Sequence, residues 1–503
     1  MTEIRGKKFW WVAGAGLFCL FLAVSPGRYF ASDVSVRLSM TRQLWSAGSV
    51  FLPGDHSSEG LVYLPEQDVS TSMYGIGQSL FLIPFDYIGA KIGALFDTLP
   101  PEVESLPILF GYVPLIGTLL WIVLSLILRQ YGASQSESLG YTLIFGFSTI
   151  VWFYTTQSPQ EEALVALFLA TAFLAGIFWR DTDDKRYAVA VGACCGAALL
   201  VRLNSVLGLL PIFGLLLDTL REANKGRWKR LAQGAAWAIV GALPFIGLLM
   251  LFAYWRFGSP FATGYDAARL QNMGVFWGPL NLSQAARLAF GPGKGLLLLS
   301  PAIAITFWGF SPWAKHDRFA CWGTALAMVL SLLLSSKILN NPEGSESWGA
   351  RYQVHLLCFW IVPFYFGWRV LRRQRRMYYA YGLVTAGVVI QFASMIAPTS
   401  LEYLQAPRES VQRVTLTSSP TFGQLPLRMH NLMMWVRGRT AATRTMEEES
   451  RKLFTYSESQ YVPNFWGMVY SKRLANVWPL AISILLMITG GLALEAALKR
   501  TPI

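Results

Sequence analysis

About a dozen apolar runs follow one another along this chain, most approaching the roughly 20 residues needed to cross a hydrocarbon core of about 30 Å. They cover 9–25, 107–128, 139–154, 162–179, 187–204, 206–220, 232–254, 295–311, 319–336, 352–371, 378–396 and 475–497. No other feature restricts the fold as much. Lipid offers no hydrogen-bond partner to a backbone, so a spanning segment satisfies its own N–H and C=O groups by coiling into a helix. The pattern predicts an all-α polytopic integral membrane protein with about 12 transmembrane helices. A further stretch, 74–96, would make a thirteenth. Its Pro84, Asp86, Lys91 and glycines suit an interfacial or re-entrant helix better. Residues 33–47 also read as a juxtamembrane amphipathic helix, with Val34, Leu38, Thr41 and Leu44/Trp45 at helical spacing.

Charge sets the orientation. Hydrophobic residues make up 53% of the chain and charged ones 14%, with a net charge of +13. That excess does not point to nucleic acid, because the basic residues gather in short loops between apolar runs. The strongest are Arg221 to Arg230 and Arg372 to Arg376, joined by Arg180 to Arg186, Lys315 to Arg318 and Lys499-Arg500. The positive-inside rule makes these loops cytoplasmic, and both termini with them. Arg5, Lys7 and Lys8 before the first run also resemble a signal peptide, but that run is long enough to span. The parity leaves 26–106, 255–294, 337–351 and 397–474 outside. Residues 1–396 form the expected catalytic module, 397–474 a small extracytoplasmic segment, and 475–503 the last helix and tail.

The outer segments hold the unusual polar residues. Asp33 follows the first span, about where lipid phosphates lie, and also suits a helix cap. Arg256, Lys294 and Arg351 each lie near glycine on the same predicted face, where an anionic headgroup would sit. Arginine offers bidentate phosphate recognition and lysine a point charge. Glu162 opens a span, a position that also favours the helix dipole. Arg202 near a span end reads either as a phosphate ligand or as an ion-pair partner. The five cysteines fall in apolar runs and the four histidines are scattered, so no metal-ligand spacing appears. No cofactor is expected, and a divalent metal has no support in the residues.

The order of motifs resembles the GT-C superfamily of polytopic, polyprenyl-phosphate-sugar-dependent glycosyltransferases, in particular bacterial members akin to the protein mannosyltransferases and the lipid A aminoarabinose transferase. The carrying residues are Ser32-Asp33, Tyr74-Gly75-Ile76-Gly77-Gln78-Ser79 with Pro84, and Glu162-Ala163-Leu164. They continue with Phe257 to Tyr265, Gly293-Lys294-Gly295 and Trp348-Gly349-Ala350-Arg351-Tyr352. Two departures stand out. Val34 takes the place of a second acid after Asp33, and Ala163 that of a proline after Glu162. A second acid would then come from elsewhere, such as Glu343 or Glu346.

The resemblance implies inverting transfer of a sugar from a polyprenyl-phosphate donor to a hydroxyl of a glycan, lipid or protein, on the outer face of a bacterial inner membrane. Asp33 would be the base. Arg256, Lys294, Arg351 and Arg202 would bind the donor phosphate. Arg37, Tyr74, Gln78, Glu162, Tyr265, Glu343, Glu346, Trp348 and Tyr352 are candidates for the sugar and acceptor. A transporter or lipid flippase would instead place ionisable residues deep in its spans and show paired halves. An oligosaccharide polymerase or ligase would move whole chains, and a membrane scaffold would need no such site.

Overall fold

The computed structural model describes residues 2–27, 32–54, 60–95, 104–221, 227–266, 278–338, 347–396, 405, 423–437 and 463–499. The helices are α1 (Thr2–Val24), α2 (Ser32–Ala47), α3 (Gly77–Leu95), α4 (Val113–Gln130), α5 (Gln135–Phe147), α6 (Val151–Thr156), α7 (Glu162–Thr182), α8 (Lys185–Val201), α9 (Leu209–Asp218) and α10 (Arg227–Phe257). They continue with α11 (Leu282–Phe290), α12 (Leu296–Leu299), α13 (Thr306–His316), α14 (Arg318–Ser335), α15 (Leu357–Arg373), α16 (Met377–Ile396), α17 (Gln424–Val436), α18 (Trp466–Leu474) and α19 (Trp478–Lys499). The chain is thus a helical, multi-pass membrane protein. Among the described residues, 8 helices are long and apolar enough to cross a membrane.

The remaining apolar runs are helical but short or broken. Residues 295–311, expected as one span, form α12, a 3₁₀ turn over Pro301–Ile305 and the start of α13. Proline supplies no N–H to the helix ladder and clashes with the preceding turn, so Pro301 interrupts it. The run 139–154 divides into α5 and α6. The segment between α2 and α3 adds strands β1 (Leu52–Pro53), β2 (Leu61–Leu64) and β3 (Val69–Ser72), an antiparallel sheet in the order β1-β3-β2. Leu61 pairs with Ser72 and Leu64 with Val69, and Asp68 takes a left-handed conformation in the tight turn between them.

Packing separates a central group of helices from a lipid-facing rim. Of the spanning windows, that of Arg351–Arg373 is 89% buried and that of α7 78%, against 11% for α10. The bulky apolar residues of α10, from Trp237 to Trp255, are therefore placed to face lipid. Its inner face meets α8 through a small-residue seam. A Cβ on Gly192 would lie 1.6 Å from the Ala238 carbonyl oxygen, and one on Gly241 2.0 Å from that of Val189. Such close backbone approach is how helices gain contact area where water gives no driving force.

Both juxtamembrane segments are helical, as expected from the sequence. Helix α2 buries apolar residues as its spacing predicts: Val34, Val36 and Met40 are buried, and Leu38 and Leu44 pack against core clusters. Asp33 and Arg37 are buried with them, so the inward side of the helix also carries two charges. The segment 74–96 becomes helical only at Gly77. The two helices are locked together: Arg42 grips both oxygens of Asp86 at 2.8 and 2.9 Å, and Trp45 donates to Asp86 Oδ2 at 2.6 Å. Thr41 Oγ1 and Ser79 Oγ donate to the carbonyls of Ser79 and Arg37, at 3.3 and 3.2 Å.

Candidate active site

Four segments far apart in sequence converge where α7 begins, α8 ends, α2 begins and the 3₁₀ turn Arg351–Leu356 leads into α15. The basic residues Arg180 to Arg186 and Arg372 to Arg376 lie at the opposite ends of these same helices. The point of convergence holds three carboxylates, Asp33, Glu161 and Glu162, and three guanidinium groups, Arg37, Arg202 and Arg351. All six residues are 9% exposed or less. The formal charges cancel, three against three.

Each pairing has a geometric cause. Arg37 lies one helical turn after Asp33 on the buried face of α2, so its Nη1 reaches Asp33 Oδ2 at 3.4 Å. Its Nη2 reaches Glu161 Oε2 at 2.8 Å, and its plane stacks 4.2 Å from the centre of the Tyr74 ring. Arg202 is the residue at which α8 ends in extended backbone. Its Nη1 contacts Glu162 Oε1 at 2.6 Å and Glu161 Oε1 at 3.2 Å, while the guanidinium stacks 4.8 Å from the Tyr352 ring. Arg351 is the hub: Nε donates to Glu162 Oε1 at 2.5 Å, and Nη2 meets Glu161 at 3.3 Å and also contacts Asp33 Oδ2. Gln160 Nε2 approaches Asp33 Oδ1 at 3.5 Å.

Burial alone would raise the Asp33 and Glu161 carboxyls. Arg351 and Arg37 outweigh it for Asp33, as Arg37 and Arg351 do for Glu161, and both are held below the usual carboxylate range. Glu162 has one oxygen, Oε2, that is buried with no hydrogen-bond partner.

The walls are fixed by backbone approach. Gly75 and Gly77 abut the end of α8. A Cβ on Gly75 would lie 2.6 Å from the Leu200 carbonyl oxygen, and one on Gly77 2.6 Å from the Val201 nitrogen. This contact holds the Tyr74–Gln78 segment against the end of α8. Gln78, expected to bind sugar, is buried and gives its amide N–H to the Pro159 carbonyl at 2.5 Å and to Tyr112 Oη at 3.3 Å. It anchors the corner that carries Glu161 and Glu162. Tyr265 packs against Met73 and Tyr74. Tyr154 Oη donates to the Trp348 carbonyl at 2.9 Å, and Trp348 is fully buried.

The expected phosphate cations divide. Arg351 and Arg202 are bound into the carboxylate cluster. Arg256 is not: its Nη1 donates to the carbonyls of Ser72 and Tyr74, and it stacks on Phe252 and Phe257 at 3.8 and 4.7 Å. Among the described residues it has no carboxylate partner. Lys294 is buried in the turn after Gly293. Glu343 and Glu346, the expected second acids, lie outside the described residues. The acids that join Asp33 are Glu161 and Glu162. Glu161 was visible in sequence as half of an acidic doublet between Pro159 and an apolar run, but nothing in its spacing showed that Asp33 would meet it. Among the described residues, no group of three His, Cys, Asp or Glu is arranged to hold a metal.

No family model and no curated protein matches the sequence. Solved structures similar to it include apo ArnT from Cupriavidus metallidurans, with a TM-score of 0.49 and 13% identity over 99% of this chain and 77% of that one. A second structure shows that ArnT bound to undecaprenyl phosphate. Arabinosyltransferase EmbB from Mycobacterium smegmatis matches with a TM-score of 0.44 and 12% identity over 97% of this chain and 41% of its own. Oligosaccharyltransferase AglB from Archaeoglobus fulgidus, in complex with an inhibitory peptide and a dolichol-phosphate, matches with 0.42 and 11% over 80% and 59%. All three are GT-C superfamily members.

Proposed function

We propose that the protein is an inverting glycosyltransferase that moves a sugar from a polyprenyl-phosphate donor to an acceptor hydroxyl at the extracytoplasmic membrane surface. The observation that carries this reading is the buried cluster of three carboxylates and three arginines, linked through Tyr74 to Arg256, a buried cation with no carboxylate partner among the described residues. The cluster lies at the helix ends opposite the basic loops, and those loops are cytoplasmic by the positive-inside rule. The cluster is electrically balanced on its own. An added lipid phosphate is therefore best compensated by Arg256, whose charge is met, among the described residues, by carbonyl dipoles and ring faces. Lys294 is the second candidate for the same phosphate. The motif order in the sequence supports the same chemistry.

The reaction follows from these parts. The acceptor oxygen bonds to the anomeric carbon as the bond from that carbon to the phosphate oxygen breaks, and the lipid phosphate leaves with the electron pair. The acceptor proton passes to Asp33. A weakly basic carboxylate suffices, because the hydroxyl becomes strongly acidic only as it bonds to the anomeric carbon. Arg37 and Arg351 hold that carboxylate ionised and aimed, and basic side chains stabilise the charge growing on the leaving phosphate. Direct attack inverts the anomeric centre, whereas a covalent Asp33 intermediate would retain it. Incubating purified protein with a labelled sugar on polyprenyl monophosphate, with glycan, lipid and peptide acceptors, tests the reading. Transfer with inversion supports it. Facilitated movement of the lipid without transfer would assign a flippase, and transfer of whole oligosaccharides only would assign a ligase.

A further inference from the structure

Helix α17 belongs to the outer segment 397–474 and contributes nothing to the ion cluster. Its first two turns are nonetheless polar where they are most buried. Gln424 and Arg428, one turn apart, are both 0% exposed. A primary amide is expensive to bury unless both its ends are matched. Here both are: Gln424 Oε1 accepts from the Gly349 N–H at 2.8 Å, and Nε2 donates to the Ser347 carbonyl at 2.9 Å. One side chain therefore closes on both ends of the tripeptide Ser347-Trp348-Gly349. Gly349 lies in the left-handed region, φ 64°, so the backbone makes a sharp turn there. The Gly349 carbonyl accepts from the N–H of Arg351 at 3.0 Å.

Arg428 covers the middle of the same tripeptide. Its guanidinium stacks 5.2 Å from the Trp348 ring, and its Nη1 donates to the Ser394 carbonyl of α16 at 2.8 Å. Trp348 Nε1 donates to Gln391 of α16 at 3.1 Å. The Leu425 N–H also reaches the Gly293 carbonyl, at 3.2 Å, in the turn that carries Lys294. Helix α17 thus ties to α16 the two glycine-containing turns that precede Arg351 and carry Lys294.

We infer that α17 is a positioning element of the active site, in which Gln424 and Arg428 fix the backbone register from which Arg351 reaches Asp33, Glu161 and Glu162. The inference rests on the reading of the ion cluster as the catalytic centre. The reach of Arg351 to three separate carboxylates leaves little slack, so a small shift of the Ser347–Gly349 turn breaks contacts at the hub.

The test is Gln424→Met, which keeps the volume and removes the amide's hydrogen bonds to the Gly349 N–H and the Ser347 carbonyl. Turnover per folded molecule falls about 10-fold or more, the scale on which sub-ångström to ångström misplacement acts. Acceptor KM stays within about twofold. Combined with Arg351→Lys, the substitution costs no more than Arg351→Lys alone, since both act through one group. Additive losses, or unchanged turnover, overturn the inference. Should Gln424→Met not fold, Arg428→Lys takes the same tests. A readout free of activity stands beside these. Amide hydrogen exchange in the peptide covering 347–356 speeds up in the variant while α7 stays protected. Unaltered exchange there overturns the clamp even if the wild-type protein transfers no sugar, and absence of transfer by wild type alone overturns the proposed reaction instead.

Discussion

Replacing Arg351 by methionine tests whether the cluster is the electrostatic keystone of its end of the helix bundle. The wild-type balance of three cations and three carboxylates becomes two against three, all buried. Glu161 keeps Arg37 at 2.8 Å and Arg202 at 3.2 Å, and Glu162 keeps Arg202 at 2.6 Å. Asp33 is left with Arg37 at 3.4 Å and Gln160 at 3.5 Å, the two loosest contacts in the group. Removing one partner of a buried ion pair costs about 3–5 kcal/mol, because the remaining charge is uncompensated. Thermal unfolding in detergent at pH 7.5 should show that loss. At pH 5 the deficit shrinks, since Asp33, no longer held low by Arg351, takes up a proton and relieves the imbalance. The double variant Arg351→Met/Glu162→Gln restores two against two and recovers a large part of the stability. A variant as stable as wild type at pH 7.5, or a double variant less stable than the single one, would refute the reasoning.

Other outcomes follow from the same contacts. Because Asp33 is held low by Arg351 and Arg37 against the effect of burial, its contribution to stability is complete above the unfolded carboxyl pKa of about 3.9 and is lost only as pH falls through the lower folded value. Asp33 should therefore contribute no limb to the kcat/KM profile between pH 5 and 8, and an apparent pKa near 6 that shifts on Gln160→Ala would contradict this. Arg256→Gln should weaken undecaprenyl phosphate binding by about 10-fold or more, the loss of one charge-assisted contact, with little change in acceptor KM. Equal lipid affinity in a binding titration would remove Arg256 from the phosphate site. Gly77→Ala places a Cβ 2.6 Å from the Val201 nitrogen and 2.8 Å from the Leu200 carbonyl carbon, so it should lower both melting temperature and transfer. Gly247→Ala in α10, where nothing lies within 4 Å, should be neutral or stabilising by up to about 1 kcal/mol.

Sequence reasoning reaches the helical membrane class because hydrocarbon imposes it: any apolar run of that length has one way to satisfy its backbone. It also singles out Asp33, Arg202, Glu162 and Arg351, each an ionisable residue at the edge of an apolar run. Their pairing was not legible. Which helix ends meet depends on the small-residue seam of α8 with α10 and on the close approach of Gly75 and Gly77 to Leu200 and Val201. The periodicity of α2 shows its apolar contacts but not its buried charges. Val34 and Leu38 pack inward as their spacing suggests, and Arg37 and Asp33 turn inward with them because guanidinium and carboxylate partners wait there. The interruption at Pro301 was present in the sequence and is masked by the apolar residues on either side. The bracing of Ser347–Gly349 by Gln424 and Arg428 spans more than 70 residues of chain and leaves no local pattern at all.

The most direct test of the account is Asp33→Asn, assayed for transfer from a labelled polyprenyl-monophosphate sugar alongside its melting temperature and its affinity for undecaprenyl phosphate. The asparagine keeps the shape and can still accept a hydrogen bond from Arg351, but it has no charge and cannot take the acceptor proton. The account predicts turnover per folded molecule reduced by about 100-fold or more, the scale of a general base, with lipid binding retained and a lower melting temperature, because three buried guanidiniums then face two carboxylates. Near wild-type turnover in a folded variant would contradict it.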